Sequence, residues 1–304
     1  MKTLNVTWDG IHDSTGYLFS FAKSLSCAVK NSPWAEYAED IIATSGFAFR
    51  MWVAADLCPS STSIWSFDIQ KSCVENGGLT CEYVGRYWEQ DTIEKQKWLE
   101  AIANIKKSID NGVPAVSWDI GIPEWGLITG YDDEKQVFST LAVNMSQTEL
   151  PYDVLGKREL PILSVLTLTG ASGKPQDEIL KDTVKLAVAH LKGGEWCDNA
   201  KGLEAYPVLM KHFEPEVFTN ENGFAWNREY LLGTYGELKY YAYKYFEKTG
   251  QSQLAELYQS IHSAWMEAFR INKTGDGCAV DILAQLKLAQ KNEISVVEIM
   301  EKMI

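Results

Sequence analysis

The side chains that could supply a nucleophile or a base are few and widely separated in the sequence. His12 lies two residues before Ser14 and three before Thr15, so an imidazole and two hydroxyls fall within one short segment. Cys58, in a loop before Pro59, could present a reactive thiol, but no base stands next to it in the sequence. The simpler interpretations are that His12 is a surface or capping residue and that Cys58 is an incidental thiol.

The spacing of the cysteines and histidines does not predict a metal site or a bound cofactor. None of the six cysteines forms a C-x-x-C pair, and only Cys73 and Cys81 lie close together. We expect free, mostly buried thiols, with a Cys73–Cys81 disulfide as the alternative. The remaining histidines fall in predicted helices and are interpreted as structural: His190, His212 and His262.

The net charge and the distribution of apolar residues exclude several classes of partner. The formal net charge is -13, which opposes binding to nucleic acid or to anionic lipid. No stretch approaches the roughly 20 apolar residues that span a bilayer. The segment Met1 to Gly10 has one lysine and no apolar run, so it does not resemble a signal peptide. We therefore expect a cytoplasmic protein that contacts neither nucleic acid nor membrane.

The first half of the chain mixes helical and strand patterns. Asp13-Ser14-Thr15 predicts the start of a first helix, and Pro33-Trp34 predicts the start of a second. Gly46 to Val53 alternates like a strand. The segment 91–109 has apolar residues on one helical face. Four strands are predicted after it, at Pro114 to Asp119, Glu124 to Tyr131, Val137 to Val143 and Ile162 to Thr169.

This order of elements predicts an α+β domain followed by a helical region. Asp132 to Lys135 fits the tight polar turn of a hairpin, which makes the sheet antiparallel. Gly170 to Pro175 is the best linker, and the predicted domains are therefore 1–172 and 173–304. Helices are predicted beyond it at Asp177 to Leu191, Gly202 to Phe213, Asn227 to Thr249, Gln251 to Ile271, Asp281 to Gln290 and Ser295 to Met303.

Two motifs in the strand region resemble a known family. They are Gly112-Val113-Pro114-Ala115-Val116 and Glu124-Trp125-Gly126-Leu127-Ile128-Thr129-Gly130-Tyr131-Asp132-Asp133. The pattern resembles the peptidase C39-like branch of the papain-like fold. The helical region from Lys201 to Phe269 is similar to that of proteins like the butirosin biosynthesis protein H acyltransferase. The resemblance implies an antiparallel sheet with N-terminal helices, and a cysteine–histidine pair in which the helix dipole and the imidazole favour a thiolate.

The positions that the resemblance assigns to this pair hold other residues. Glu124 stands where the family has histidine, and the nucleophile position falls at Ser14 or Thr15. Asn144, after the strand Val137 to Val143, takes the position of the residue that orients the imidazole.

A papain-like protein without its catalytic pair is therefore the first functional expectation. The former active-site cleft would bind a small molecule or a peptide, and its candidate contacts are Glu124, Asp119, Trp8, Trp52, Trp125 and His12. The first alternative is an active hydrolase, or an acyl or amide transferase, that uses altered residues, with Glu124 acting as a carboxylate base. The second is a structural or partner-binding protein.

Overall fold

The structure is a computed structural model of the full chain. It describes residues 1–63, 67, 69–86, 94–158, 161–195, 197–215, 217–218 and 224–304, with Arg86 described by its backbone alone. The chain divides into two compact units, each made of several segments. The first unit comprises Met1–Ile11, Ser20–Ser45 and Trp65–Pro175, and the second comprises His12–Phe19, Gly46–Ile64 and Gln176–Ile304.

Helices and strands are numbered here in chain order within the described residues. The strands are β1 (Lys2–Thr3), β2 (Trp52–Val53), β3 (Leu79–Arg86), β4 (Ala115–Ser117), β5 (Gly126–Asp132), β6 (Val137–Leu141), β7 (Gln147–Pro151), β8 (Leu163–Ala171) and β9 (Ala200–Lys201). The helices are α1 (Ser20–Lys30), α2 (Ile41–Thr44), α3 (Ile69–Asn76), α4 (Lys95–Asp110), α5 (Gln176–Leu191), α6 (Ala205–Lys211), α7 (Phe224–Lys248), α8 (Ser252–Thr274) and α9 (Ala279–Met300).

An antiparallel sheet forms the centre of the first unit. Its strands run in the order β3-β8-β4-β5-β6-β7, with β1 paired to β5. Helix α1 lies against β4 and β5, and α4 lies against β3, β5 and β8. Apolar residues of α4 and the sheet, such as Ile105, Ile128 and Phe138, make a common core. The predicted α+β class with an antiparallel sheet is therefore confirmed.

The first helix begins seven residues later than the sequence predicted. Asp13 does not start a helix, because its carboxylate accepts hydrogen bonds from the backbone N–H groups of Gly16 and Leu18, each at 3.0 Å, and so closes a loop. Gly16 has a φ of +81°, which a helix does not allow. Helix α1 starts at Ser20, after this loop.

Three other predicted elements are also corrected. Between Gly46 and Val53 only β2 is a strand, because backbone hydrogen bonds from Phe49 to Gly46 and from Arg50 to Phe47 fold the preceding residues into turns. The helix predicted from Pro33 is a short 3₁₀ turn, Ala35–Tyr37, followed by α2. The two last predicted helices are one, α9, because Lys291 to Ile294 continue the helical hydrogen bonding.

Several elements agree with their predictions and others were missed. Helices α4, α5, α7 and α8 and strands β4, β5, β6 and β8 lie where the patterns placed them, within a few residues at each end. Residues 91–93, at the predicted start of α4, lie outside the described residues. The sequence did not predict α3, β3 or β7.

The second unit is mainly helical, which confirms the predicted C-terminal helical region. Helix α8 packs along both α7 and α9. Gly233 of α7 allows close approach, because a Cβ there would lie 2.8 Å from Cδ2 of Tyr17. A two-stranded pairing of β2 with β9 also belongs to this unit. Across the described ranges, no helix combines the length and apolarity needed to cross a membrane.

Candidate functional site

Ser20, the first residue of α1, is in direct contact with Glu124, which precedes β5 by two residues. The Ser20 hydroxyl donates a hydrogen bond to Oε2 of Glu124 and accepts one from the backbone N–H of Trp125 at 3.2 Å. Ser20 is buried and Glu124 is half-buried. The start of a buried helix and the start of a central strand thus meet through a hydroxyl and a carboxylate.

The loop that carries Glu124 has a strained backbone at Asp119. Asp119 is buried and has a φ of +60°, a left-handed conformation that is uncommon outside glycine. The loop is closed by hydrogen bonds from Ile120 N to Glu124 O at 3.1 Å and from Glu124 N to Ile122 O at 2.7 Å. Nε of Arg158 lies 3.9 Å from Oδ1 of Asp119. Strain of this kind is often found at functional sites.

Aromatic side chains pack behind this loop. Trp125 is fully buried and makes edge-to-face contacts with Phe21, Phe67 and Trp118, at centroid distances of 5.0, 4.8 and 5.3 Å. Among the described residues, Nε1 of Trp125 has no hydrogen-bond acceptor. The aromatic cluster therefore packs next to the Ser20–Glu124 contact and, within the described residues, leaves the buried donor Nε1 of Trp125 unused.

The residues of the motif Gly130-Tyr131-Asp132-Asp133 all have structural contacts. A Cβ at Gly130 would lie 2.5 Å from the carbonyl oxygen of Lys2, so glycine is needed for β1 to pair with β5. The hydroxyl of Tyr131 donates to Asp110 at 2.9 Å. Asp132 accepts from the backbone N–H groups of the hairpin turn, at 3.0 and 3.2 Å. Asp133 accepts from Lys106 and from Tyr152. The motif therefore stabilises the hairpin and its neighbours.

In the second unit, His12, Ser14 and Thr15 converge on a residue that the sequence analysis did not identify, Glu237 of α7. Ser14 donates its hydroxyl to Oε1 of Glu237 at 2.7 Å, and the backbone N–H of Thr15 donates to the same oxygen at 2.6 Å. Nε2 of His12 lies 3.4 Å from Oε2. The Glu237 side chain is fully buried. These three candidates therefore connect the loop that precedes α1 with helix α7.

Tyr240 and Tyr241 complete the environment of His12. The ring of His12 stacks on Tyr240 at 3.7 Å between centroids, and the Tyr241 hydroxyl donates to the His12 carbonyl at 2.8 Å. These contacts attach the loop that carries His12 to α7.

Asn144 and Cys58 are occupied by local interactions. Asn144 is exposed in the turn between β6 and β7, where its side-chain oxygen accepts from both the N–H and the hydroxyl of Ser146, at 3.1 and 2.6 Å. The N–H of Cys58 donates to Asp56 at 3.0 Å, at the start of a 3₁₀ turn. The Asn144 side-chain oxygen is therefore used within its own turn, whereas the Cys58 contact involves the backbone and not the thiol.

The two remaining tryptophan candidates are buried, and Nε1 of Trp52 has no hydrogen-bond acceptor among the described residues. Nε1 of Trp8 donates to the carbonyl of Ala142 at 3.0 Å, and Lys23 lies 5.3 Å from its ring centroid. The backbone N–H of Trp52 donates to the hydroxyl of Tyr235 at 3.0 Å, and this hydroxyl donates to the Trp52 carbonyl. Trp8 and Trp52 thus contribute to packing within their respective units.

The cysteines are free thiols, including Cys73 and Cys81. Burial raises the pKa of the Cys27 thiol and of the Cys81 thiol to about 12, which makes both poor nucleophiles. In the residues that the structure describes, no three His, Cys, Asp or Glu side chains are grouped as metal ligands.

A second buried polar cluster joins Arg50, His190 and Glu195 in the helical unit. Nε and Nη2 of Arg50 donate to the two oxygens of Glu195 at 2.9 and 2.6 Å. Nε2 of His190 accepts from the N–H of Met51 at 2.7 Å, so Nδ1 carries the proton and donates to Glu195, also at 2.7 Å. Burial lowers the pKa of His190, so its ring is neutral near pH 7.

A groove of about 440 Å³ lies elsewhere in the first unit. Its lining combines hydroxyls and amides, among them Asn5, Ser139 and Thr148, with apolar residues near the N-terminus. Ser20 and Glu124 do not line it, nor do they line a smaller cavity of about 130 Å³ beside Lys107.

Sequence reasoning missed Ser20 and Arg158, which contact the candidates Glu124 and Asp119 in the first unit. It also missed Glu237, which contacts His12, Ser14 and Thr15 in the second unit. Gly16 was the one sequence signal that the first helix starts later than Asp13, because glycine is unfavourable inside a helix. No local pattern indicated Arg158 or Glu237. A comparison with known families finds none that matches this chain, and a comparison with curated proteins finds no matching sequence. The protein is therefore described by its class, an antiparallel α+β unit with a helical unit.

Proposed function

We propose that the chain is a papain-like protein that has lost its catalytic pair and that binds a small molecule or a peptide at the former active site. The observation that carries the proposal is the hydrogen bond between Ser20 and Glu124. In this interpretation Ser20, rather than Ser14 or Thr15, takes the nucleophile position at the start of the first helix. Glu124 takes the position of the histidine.

The chemistry of this pair supports binding rather than turnover. A carboxylate with its ordinary pKa near 4.3 is about two units less basic than an imidazole near 6.5. A serine hydroxyl also needs a stronger base than a thiol does. A hydroxyl that donates to a carboxylate and accepts from the Trp125 N–H is well held but weakly activated.

The same pair indicates the kind of ligand that the site favours. A half-buried carboxylate prefers N–H donors or a positive charge on the ligand. The net charge of -13 adds a long-range attraction for cations. The preferred ligands of this proposal are therefore amines, or peptides with a free amino terminus.

Thermal shift assays with simple amines and dipeptides test this binding. Compounds that raise the Tm of the wild-type protein should lose their effect on Glu124→Ala. Glu100→Ala, which removes an exposed carboxylate of α4, is the matched control and should respond like the wild type. Equal stabilisation of all three proteins by every active compound would show that the ligand site is elsewhere.

The alternative is an active hydrolase or acyltransferase in which Glu124 serves as the base of Ser20. The direct contact between the two side chains is the observation that favours it. A fluorophosphonate probe distinguishes the two, because an activated serine attacks phosphorus and displaces fluoride. We expect no covalent product. A product on the wild type that disappears in Ser20→Ala would establish the active alternative.

A further inference from the structure

A small polar cavity lies in the first unit, where the end of α4 meets β3 and β8. Its volume is about 130 Å³, roughly that of four water molecules, whereas drug-sized ligands need several times more space. The half-buried side chain of Trp34, between α1 and α2, lines it together with polar residues of the helix and the sheet. The cavity therefore suits a ligand of only a few non-hydrogen atoms.

Side chains of different chemistry reach this cavity from α4 and from the sheet. Asn104, Lys107 and Asn111 follow one another at spacings of three and four residues, which places them on one face at the end of the helix. Glu82 of β3 is the direct partner of Thr167 in β8, so their side chains lie on the same face of the sheet. A carboxylate, an ammonium, two amides and a hydroxyl thus line one small space.

A β-bulge increases the contribution of β8 to the lining. The register of β3 and β8 shifts between Thr80 and Cys81, which leaves Thr169 as an extra residue on β8. Thr167 to Thr169, three consecutive residues, all line the cavity, although a regular strand turns successive side chains to opposite faces. Bulges of this kind are frequent next to functional sites.

Two opposite charges line the cavity without pairing with each other. Glu82 and Lys107 are exposed, and neither side chain forms a hydrogen bond or an ion pair within the described ranges. Thr167 is only 4% exposed, and its hydroxyl also lacks a hydrogen-bond partner there. Buried polar groups of native proteins are almost always hydrogen-bonded. A ligand with one positive and one negative group would complement this lining.

We propose that the cavity binds a small zwitterionic amino acid, such as glycine or alanine. The ligand carboxylate accepts from the ammonium of Lys107, and the ligand ammonium donates to the carboxylate of Glu82. Trp34 supplies an apolar wall that can also attract the ligand ammonium. The volume of the cavity selects against long side chains. A ligand without net charge is not repelled by the acidic protein.

NMR of the isotope-labelled protein tests this binding at the cavity itself. The indole N–H signal of Trp34 is identified by its absence from the spectrum of Trp34→Phe. Glycine should shift this signal to saturation. Methylamine and acetate each carry one of the two charges, and they should shift it little. No shift with glycine, or an equal shift with methylamine, would overturn the proposal.

Charge variants test the two assigned contacts. Lys107→Met and Glu82→Gln should each weaken glycine binding at least about tenfold. Lys95→Met, which removes an exposed lysine of α4, is the matched control and should bind like the wild type. The exchange Glu82→Lys/Lys107→Glu should recover binding, because the zwitterion can bind in the reverse orientation. Unchanged affinity in both single variants, or no recovery in a folded exchange variant, would overturn the proposal.

The variant Glu124→Ala separates this cavity from the Ser20–Glu124 site. Because Glu124 does not line the cavity, the variant should shift the Trp34 signal with wild-type affinity for glycine. Loss of that shift in a folded Glu124→Ala protein would contradict a separate amino-acid site.

Discussion

The hydroxyl of Ser20 donates to the carboxylate of Glu124, and so joins the first residue of α1 to the loop before β5. The same hydroxyl accepts from the backbone N–H of Trp125. One serine side chain therefore satisfies a carboxylate and a buried backbone donor together. The contact defines the candidate site and also has a measurable structural role.

Ser20→Ala should lower the free energy of unfolding by about 1–3 kcal/mol, because the Trp125 N–H would be buried without an acceptor. Ser24→Ala is the matched control on the same helix. Ser24 is also fully buried, but its hydroxyl has no partner among the described residues. Its removal should be neutral or stabilising in urea denaturation. Equal losses for both variants would mean that the Ser20 hydrogen bonds contribute nothing.

Glu195 should make the helical unit sensitive to acid. Burial tends to raise the pKa of Glu195, but hydrogen bonds from His190 and Arg50 outweigh it and hold the pKa at about 2. Because the pKa of Glu195 in the folded protein lies below the ordinary value of 4.5, the ionised carboxylate stabilises the folded state above about pH 5. This stabilisation is lost as the pH falls from 4.5 towards 2.

Glu195→Gln should therefore cost about 2–3 kcal/mol at pH 7 and flatten the loss of stability below pH 5. Urea denaturation between pH 7 and pH 3 measures both effects. Glu149→Gln, at an exposed position, should retain the wild-type pH profile. An unchanged profile for Glu195→Gln would show that the buried cluster does not control acid unfolding.

Gly130→Ala should weaken the pairing of β1 with β5. The added Cβ would lie 2.5 Å from the Lys2 carbonyl oxygen and 2.9 Å from Cα of Thr3, so β1 has to move. We expect a loss of about 1–3 kcal/mol. The same comparison is made in a protein that starts at Leu4 and so lacks β1. There Gly130→Ala should cost little, because the clash with Lys2 and Thr3 is gone. The same cost in both backgrounds would place the strain elsewhere.

The sequence was most informative where one local pattern determines one element. Strands β5 and β6 were predicted because an acidic turn separates two apolar runs. Helices α5 and α8 were predicted because their apolar residues recur at helical spacing over several turns. Strand β7 was missed because its exposed polar residues, Gln147 to Glu149, lack the expected alternation. Its position depends on pairing with β6, which is not encoded locally.

The site was harder to predict because it depends on contacts between distant segments. Glu124 was identified, but its partner was sought at Ser14 and Thr15, on the assumption that Asp13 begins a helix. Those residues instead contact Glu237, more than 200 positions away in the sequence, and a single sequence gives no sign of such a contact. A side-chain oxygen that closes a loop and one that caps a helix use the same residue types.

The proposed papain-like geometry can be tested by placing a cysteine and a histidine at positions 20 and 124. In Ser20→Cys/Glu124→His, a thiol at the start of α1 would face an imidazole. A thiol in such a position has a lowered pKa and reacts as a thiolate below pH 7. Ser20→Cys alone is the control, and circular dichroism checks that both variants fold.

The most direct measurement is the alkylation rate of the thiol introduced at position 20 by iodoacetamide at pH 6, followed by mass spectrometry of the peptide that carries it. Resolving this peptide separates the introduced thiol from the native ones. We predict that the double variant reacts at least about tenfold faster than the single variant. Equal rates in two folded proteins would contradict the proposal that Ser20 and Glu124 occupy the positions of a papain-like cysteine and histidine.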